Sequence, residues 1–211
     1  MRRLPVYFLL DTSGSMFGEP IQALNNSLSG MINTLRTDAQ ALDSLWISII
    51  TFNREVKELV PLTELVSFQL PEITCPQSGP THTGEGLQVL YEKVKTGVIK
   101  GTQTQKGDWR PLLFVFTDGK PSDLQLYREM IPMIKSLNFA AIVACAAGQL
   151  ANDALLKELT ETVVHLDTAD GNTLRQFFKW VSDTIEQGNK SMGTVENVIL
   201  PPPPQEIHLI I

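Results

Sequence analysis

Pro5-Val6-Tyr7-Phe8-Leu9-Leu10, followed at once by Asp11-Thr12-Ser13-Gly14-Ser15, is the stretch on which the reading of this chain turns. The first six residues form a short, continuously apolar run. Such a run predicts a strand buried on both faces, the kind found in a parallel sheet covered by helices. The polar turn after it is rich in Ser and Gly. Beyond the turn, Ile21, Leu24, Leu28, Met31, Ile32 and Leu35 recur at spacings of three and four. That spacing predicts an amphipathic helix, with Pro20 well placed in its first turn.

The same alternation continues outward. Trp46 to Phe52 predicts a second strand, and Glu55 to Pro61 a weaker third that pairs with it as a hairpin across Asn53-Arg54. Residues 71–86 are loop-like, with Pro71, Pro76, Gly79, Pro80, Gly84 and Gly86. A helix follows with Leu87, Leu90, Val94 and Val98 on one face, then an exposed polar loop from Gly101 to Arg110. Pro111 to Thr117 is the clearest buried strand, and Asp118-Gly119 ends it. Ser122-Asp123-Leu124-Gln125 fits a capping box for a helix through Leu137, with a kink expected at Pro132. Phe139 to Ala147 predicts a strand, Ala151 to Leu159 a short helix, and Val163 to Leu166 a last strand. Asn172 is expected to cap a final helix with Leu174, Phe177, Phe178, Val181 and Ile185 facing inward. The fold class this order implies is α/β: a doubly wound, mostly parallel central sheet with one antiparallel edge strand and helices on both faces. Residues 1–190 are expected to form the domain. Residues 191–211 are expected to form a Pro-rich C-terminal tail, with Pro201 to Pro204 extended and Leu209, Ile210 and Ile211 packing on this domain or a neighbour.

Composition narrows the function classes. The 211 residues are 43% hydrophobic and 19% charged, enough for one sizeable core. Asp and Glu outnumber Lys and Arg by 23 to 17, a net charge of −6, which argues against phosphate neutralisation as a source of affinity and so against nucleic acid. No apolar run approaches the roughly 18 residues of a membrane span. The run Val6 to Leu10 stops at Asp11, too short for a signal-peptide core. Two cysteines, Cys75 and Cys145, are too few for a disulfide framework and fit a reducing, cytoplasmic setting. No disulfide is expected between them.

Ligands of open α/β sheets bind beyond the carboxyl ends of the strands. Three segments place oxygen donors there: Asp11-Thr12-Ser13-Gly14-Ser15, Gly79-Pro80-Thr81-His82-Thr83-Gly84 and Thr117-Asp118-Gly119. Two carboxylates with several hydroxyls, and no imidazole–thiol pair, describe a hard-cation site, for Mg²⁺ first and Mn²⁺ or Ca²⁺ second. The arrangement resembles the von Willebrand factor A domain with its metal-ion-dependent adhesion site. Asp11, Ser13 and Ser15 match that family's Asp-x-Ser-x-Ser; Thr81, ahead of Thr83, matches its Thr; Asp118 matches its final Asp. The resemblance implies that the Ser13, Ser15 and Thr81 hydroxyls touch a metal directly or through water, while Asp11 and Asp118 act partly through bound waters. It also implies an interaction module in which the ion accepts an acidic side chain of a protein partner. The beginning of the domain close to Met1 and the segment Leu200 to Pro204 resemble the bacterial TerY-type tellurium-resistance-associated proteins, which implies a stress-response setting and a kinase or phosphatase of the same gene set as partner.

An enzyme is the competing reading. Asp11-Thr12-Ser13 echoes the aspartic-protease Asp-Thr-Gly, but Ser13 stands where Gly belongs, and those proteases are rich in β-structure. Phosphoryl transfer of the haloacid-dehalogenase type needs a second Asp at position 13. No nucleotide-binding Gly-x-x-x-x-Gly-Lys-Ser/Thr loop or Gly-x-Ser-x-Gly elbow occurs. A nucleophilic Ser13 or Ser15 would have only His82 as a base. The chain is therefore read as a non-enzyme. The alternatives kept beside this reading are a metal-dependent hydrolase or phosphoryl-transfer enzyme using Asp11, and a scaffold whose metal site is unfilled. His82 is read as structural or solvated, His165 and His208 as lacking ligand partners, and Met16 and Cys145 as packing residues.

Overall fold

The computed structural model describes residues 2–104, 106–148, 151–191, 200–204 and 207–210. Its elements are β1 (Leu4–Asp11), a 3₁₀ turn (Gly14–Met16), α1 (Glu19–Leu35), α2 (Ala39–Ser44), β2 (Leu45–Phe52), β3 (Val56–Glu64) and α3 (Thr83–Gly97). They continue with β4 (Leu112–Thr117), α4 (Leu124–Ser136), β5 (Ala141–Ala147), α5 (Asp153–Leu159), β6 (Thr162–Leu166), α6 (Gly171–Ser191) and β7 (His208–Ile210). The seven strands form one sheet in the order β3-β2-β1-β4-β5-β6-β7. β1 pairs in parallel with both β2 and β4, and the parallel run continues through β5 to β6. β3 and β7 close the two edges antiparallel.

Strand alternation sorts the core onto two faces. Val6, Phe8 and Leu10 of β1, with Leu112, Phe114 and Phe116 of β4, join the apolar stripes of α1 and α6. Phe8 stacks on Phe114 at 5.3 Å between centroids, and Phe178 of α6 lies 6.5 Å from Phe8 and 6.4 Å from Phe116, so aromatic contacts tie α6 to the sheet. Tyr7, Leu9, Leu113 and Val115 project the other way, into the layer of α3, α4 and α5. Burying one such large side chain contributes about 1.5–3 kcal/mol. Both faces of β1 are used, which is why its sequence shows no alternation.

Several expectations need correction. The sheet has two antiparallel edges rather than one, because His208–Ile210 pairs with β6. The sequence showed that this segment needed a surface but not which surface. Ile207 is 3% exposed within the α1–α6 core, and the Trp180 indole donates to the Pro201 carbonyl at 2.9 Å. Glu206, Ile211 and residues 192–199 of the expected tail lie outside the described residues. α2 was missed; it is one short turn capped by Asp38, whose carboxylate accepts from the Ala41 amide at 2.9 Å. β3 runs on through Pro61, which an edge strand tolerates. The Ser122–Gln125 capping box does not form: no side chain caps α4, because Ser122 turns to the Thr81 amide and Asp123 to the first amides of α3. The cap of α6 is Asp170, which accepts from the amides of Asn172 and Thr173 at 2.9 Å, and Asn172 is inside the helix.

Candidate metal centre

β1 is the strand at which the winding direction reverses, with β2 on one side and β4 on the other. Asp11 ends β1 and Thr117 ends β4, so the crevice between these two carboxyl ends is the place where the fold leaves room for a ligand. Asp11 is fully buried. One of its oxygens accepts from the Ser13 amide at 2.7 Å, a local turn that aims the following hydroxyls back at the strand end. The other accepts from the Thr117 hydroxyl at 2.6 Å, which joins β1 to β4. Ser13 Oγ lies 3.1 Å from Ser15 Oγ, and the Ser15 hydroxyl donates to Asp118 Oδ1 at 2.8 Å. Asp11, Ser13, Ser15 and Asp118 therefore form one connected cluster, and exposed Ser15 opens it to solvent.

Thr81 arrives from the loop before α3. A methyl group on Gly119 would lie 3.2 Å from Thr81 Oγ1, so this hydroxyl sits against the residue after Asp118. Two neighbours that the sequence reading left out hold it there. The Ser122 hydroxyl accepts from the Thr81 amide at 3.0 Å, and the Ser122 amide donates to the Thr81 carbonyl at 2.8 Å. The Asp123 carboxylate accepts from the amides of Gly84 and Glu85, so it caps α3 rather than its own helix. The β4–α4 loop thus clamps the Thr81 loop to Asp118. The Ser and Asp of the supposed capping box were the signal, assigned to the wrong helix. Thr83 is buried with its hydroxyl unpartnered and begins α3. His82 Nδ1 lies 3.4 Å from Glu85 Oε2, and Met16 is wholly buried as a packing residue. Gly14 is required by a crossing chain: a Cβ there would stand 2.5 Å from Ser78 Cα.

Charge is the feature that tests whether a cation fits. Asp11 and Asp118 are 0% and 8% exposed, and the hydrogen bonds they accept come from hydroxyls and backbone amides, none from Lys or Arg among the described residues. Burial pushes the Asp11 carboxyl up to about 6, against hydrogen bonds from Thr117 and Ser13, and the charge of Asp118 adds to the rise. Burial also raises Asp118, offset in part by Ser15. The Cys75 thiol is raised by burial and then by these same two acids, which puts the 71–80 loop within their field. Two buried acids, each raised by burial and Asp11 further by Asp118, surrounded by hydroxyl oxygens, suit a hard divalent cation in donor type and in charge. Among the described residues no three His, Cys, Asp or Glu side chains converge, so hydroxyls rather than carboxylates would supply most protein contacts.

The von Willebrand factor type A domain family model matches residues 6–180, and the chain belongs to that family. Among solved structures, proximal thread matrix protein 1 of the mussel byssus, with a zinc-occupied metal-ion-dependent adhesion site, is 18% identical; the alignment covers 86% of this chain and 48% of that one, with a TM-score of 0.65. The ArnB paralogue VWA2 of Sulfolobus acidocaldarius is 18% identical over 87% of this chain and 45% of its own, with a TM-score of 0.59. Manganese-loaded TRAP protein of Plasmodium vivax is 18% identical over 84% and 73%, with a TM-score of 0.55. The chain spans about half the length of the first of these relatives. No curated protein matches it. At these identities the structures share the fold. Domains of the family commonly mediate metal-dependent protein interactions. No described helix is long and apolar enough to cross a membrane.

Proposed function

We propose that this chain is a metal-dependent protein-interaction module. Asp11, Ser13, Ser15, Thr81 and Asp118 would hold one divalent cation, Mg²⁺ first and Mn²⁺ or Ca²⁺ as alternatives. When bound, the ion would supply a Lewis-acidic position for an Asp or Glu carboxylate of a partner. The observation that carries this reading is the pair of buried acids, Asp11 and Asp118, with hydroxyl and amide partners and no cationic one among the described residues. The zinc and manganese in the related structures support it. The chain's own residues orient the site: Thr117 and the Ser13 amide fix both Asp11 oxygens, Ser15 fixes Asp118, and Ser122 fixes Thr81.

The non-enzymatic reading rests on the sequence, which offers only His82 as a base for a nucleophilic serine; the Ser13 and Ser15 hydroxyls bond each other, and Ser15 donates to Asp118. The finer setting rests on the sequence resemblance to TerY-type proteins: a cytoplasmic, bacterial, tellurium- or phosphorylation-linked complex with a kinase or phosphatase as partner. Residues 1–190 are read as the domain and 191–211 as the tail that returns to it. The test is calorimetry with Mg²⁺ and Mn²⁺ on the intact chain and on Asp118→Ala, followed by partner capture with and without chelator. Metal and partner are both expected to be lost in the variant with the fold retained. Partner capture at full strength in chelator would show that the surface, not an ion, does the recognising.

A further inference from the structure

His165 and His208 face each other across the antiparallel β6–β7 pair. Directly opposed residues of such a pair project from the same face, with Cβ atoms about 4.5–5.5 Å apart. The face is identified by their neighbours. Val163, two residues before His165, and Ile210, two after His208, both pack into the core under α3, α4 and α5. Both imidazoles therefore stand on the α5 side of the sheet, at its edge. There Asp153, the first residue of α5, lies 3.0 Å from His165 Nδ1. With the carboxylate as acceptor, Nδ1 is the donor, and Nε2 is the ring nitrogen turned away from Asp153. Metal-binding imidazoles are oriented in this way, by a carboxylate on the nitrogen away from the ion. The His208 ring is 58% exposed, and its Nε2 lies 3.9 Å from Asp167 Oδ2, beyond hydrogen-bond reach.

We propose that His165 and His208 form a second metal site, for a borderline transition-metal ion such as Zn²⁺, Cu²⁺ or Ni²⁺, that fastens β7 to β6. Imidazole nitrogen suits these ions, whereas Mg²⁺ and Ca²⁺ prefer oxygen, so excess Mg²⁺ would occupy the oxygen site and leave the imidazole pair open. Two imidazoles with water in the remaining positions make an open site, in keeping with the lack of any third converging ligand among the described residues. The structural consequence is local. β7 is only three residues long, and an ion shared across the strand pair ties it down beyond what three ladder pairs supply. The proposal does not depend on the oxygen site near Asp11.

The experiment uses the untagged full chain in excess Mg²⁺, in parallel with Asp118→Ala, so that the oxygen site cannot account for the signal. Zn²⁺ titration by calorimetry is expected to show one site in Asp118→Ala. His165→Gln and His208→Gln should each weaken it by at least about tenfold, and Asp153→Asn, which leaves both ligands in place, should weaken it about 10-fold or more through loss of orientation. Electron paramagnetic resonance of the unsubstituted chain with one equivalent of Cu²⁺ should report two imidazole nitrogens, and this measurement needs no substitution to fold. Unchanged Zn²⁺ affinity in the double Gln variant, or coupling to fewer than two nitrogens, overturns the proposal.

Discussion

The two ends of the sheet treat a buried aspartate in opposite ways. At the amino end, the Asp108 side chain is 4% exposed and is fully answered: Arg3 donates to it from Nε at 2.9 Å and again from Nη2, and the Ile99 amide donates at 2.7 Å. Arg2 completes this corner by bonding the carbonyls of Gly107 and Asp108 and lying 3.6 Å over the Trp109 ring. At the carboxyl end, Asp11 and Asp118 are as deeply placed but have, among the described residues, hydroxyl and amide partners only. Hydrogen bonds satisfy lone pairs but do not cancel charge, and a buried charge without a counter-charge is costly. The chain neutralises an acid with arginine where rigidity is wanted and leaves two acids unneutralised where the crevice opens. That difference leaves uncompensated negative charge at the carboxyl end and none at the amino corner.

The comparison breaks most directly by exchanging each acid for its amide in chelator. Asp108→Asn removes the charge that answers partly exposed Arg3 and should cost about 3 kcal/mol of unfolding free energy, below the full cost of a wholly buried pair. Asp11→Asn should cost nothing or stabilise, since the amide can still accept from Ser13 and face the Thr117 hydroxyl while the repulsion from Asp118 disappears. Urea unfolding of the two variants checks both. A large loss in Asp11→Asn would mean that the carboxylate is compensated after all.

The pH dependence in chelator is the next largest effect. Asp11 moves from 3.8 to about 6 on folding, so between those values the folded state binds more protons than the unfolded one. Stability should therefore rise as pH falls from 7 toward 4, by on the order of 2–3 kcal/mol for this group, with no further gain below 4. Saturating Mg²⁺ favours the ionised carboxylate and should flatten or invert the slope. The difference between the parent chain and Asp11→Asn, melted at several pH values with and without Mg²⁺, isolates the contribution.

Ser122→Ala sharpens the comparison from within the carboxyl end. Losing the bond to the Thr81 amide should lower Mg²⁺ affinity about tenfold and leave the melting temperature nearly unchanged, as calorimetry and a thermal scan would show. Asp170 calibrates the smallest effect. This half-buried acid is answered by the Thr168 hydroxyl and by the amides that begin α6, which hold its carboxyl below the usual range. Asp170→Ala should cost about 1 kcal/mol. Because the folded value is lowered, that contribution is present above the unfolded pKa and fades as pH falls, the opposite slope to Asp11.

The sequence by itself determined the alternation of buried strands and amphipathic helices and the three oxygen-rich turns at strand ends. Both follow from local periodicity and from the few residue types a turn admits. Asp11, Ser13, Ser15 and Asp118 were legible for that reason, and they meet in one hydrogen-bonded cluster. Only the tertiary structure decided where the strongest local signals were spent. Ser122 and Asp123 read as the cap of α4, yet they hold the Thr81 loop and α3, because a donor 39 residues away in sequence competes on equal terms once the sheet brings it near. Arg3 and Asp108 are ordinary surface residue types, and nothing local pairs positions 105 apart. The second antiparallel edge has the same origin: His208–Ile210 is too short to declare a strand, and it becomes one because β6 offers an open ladder. Periodicity records which face of an element is buried; the partner against which it is buried is a long-range outcome that the chain settles only on folding.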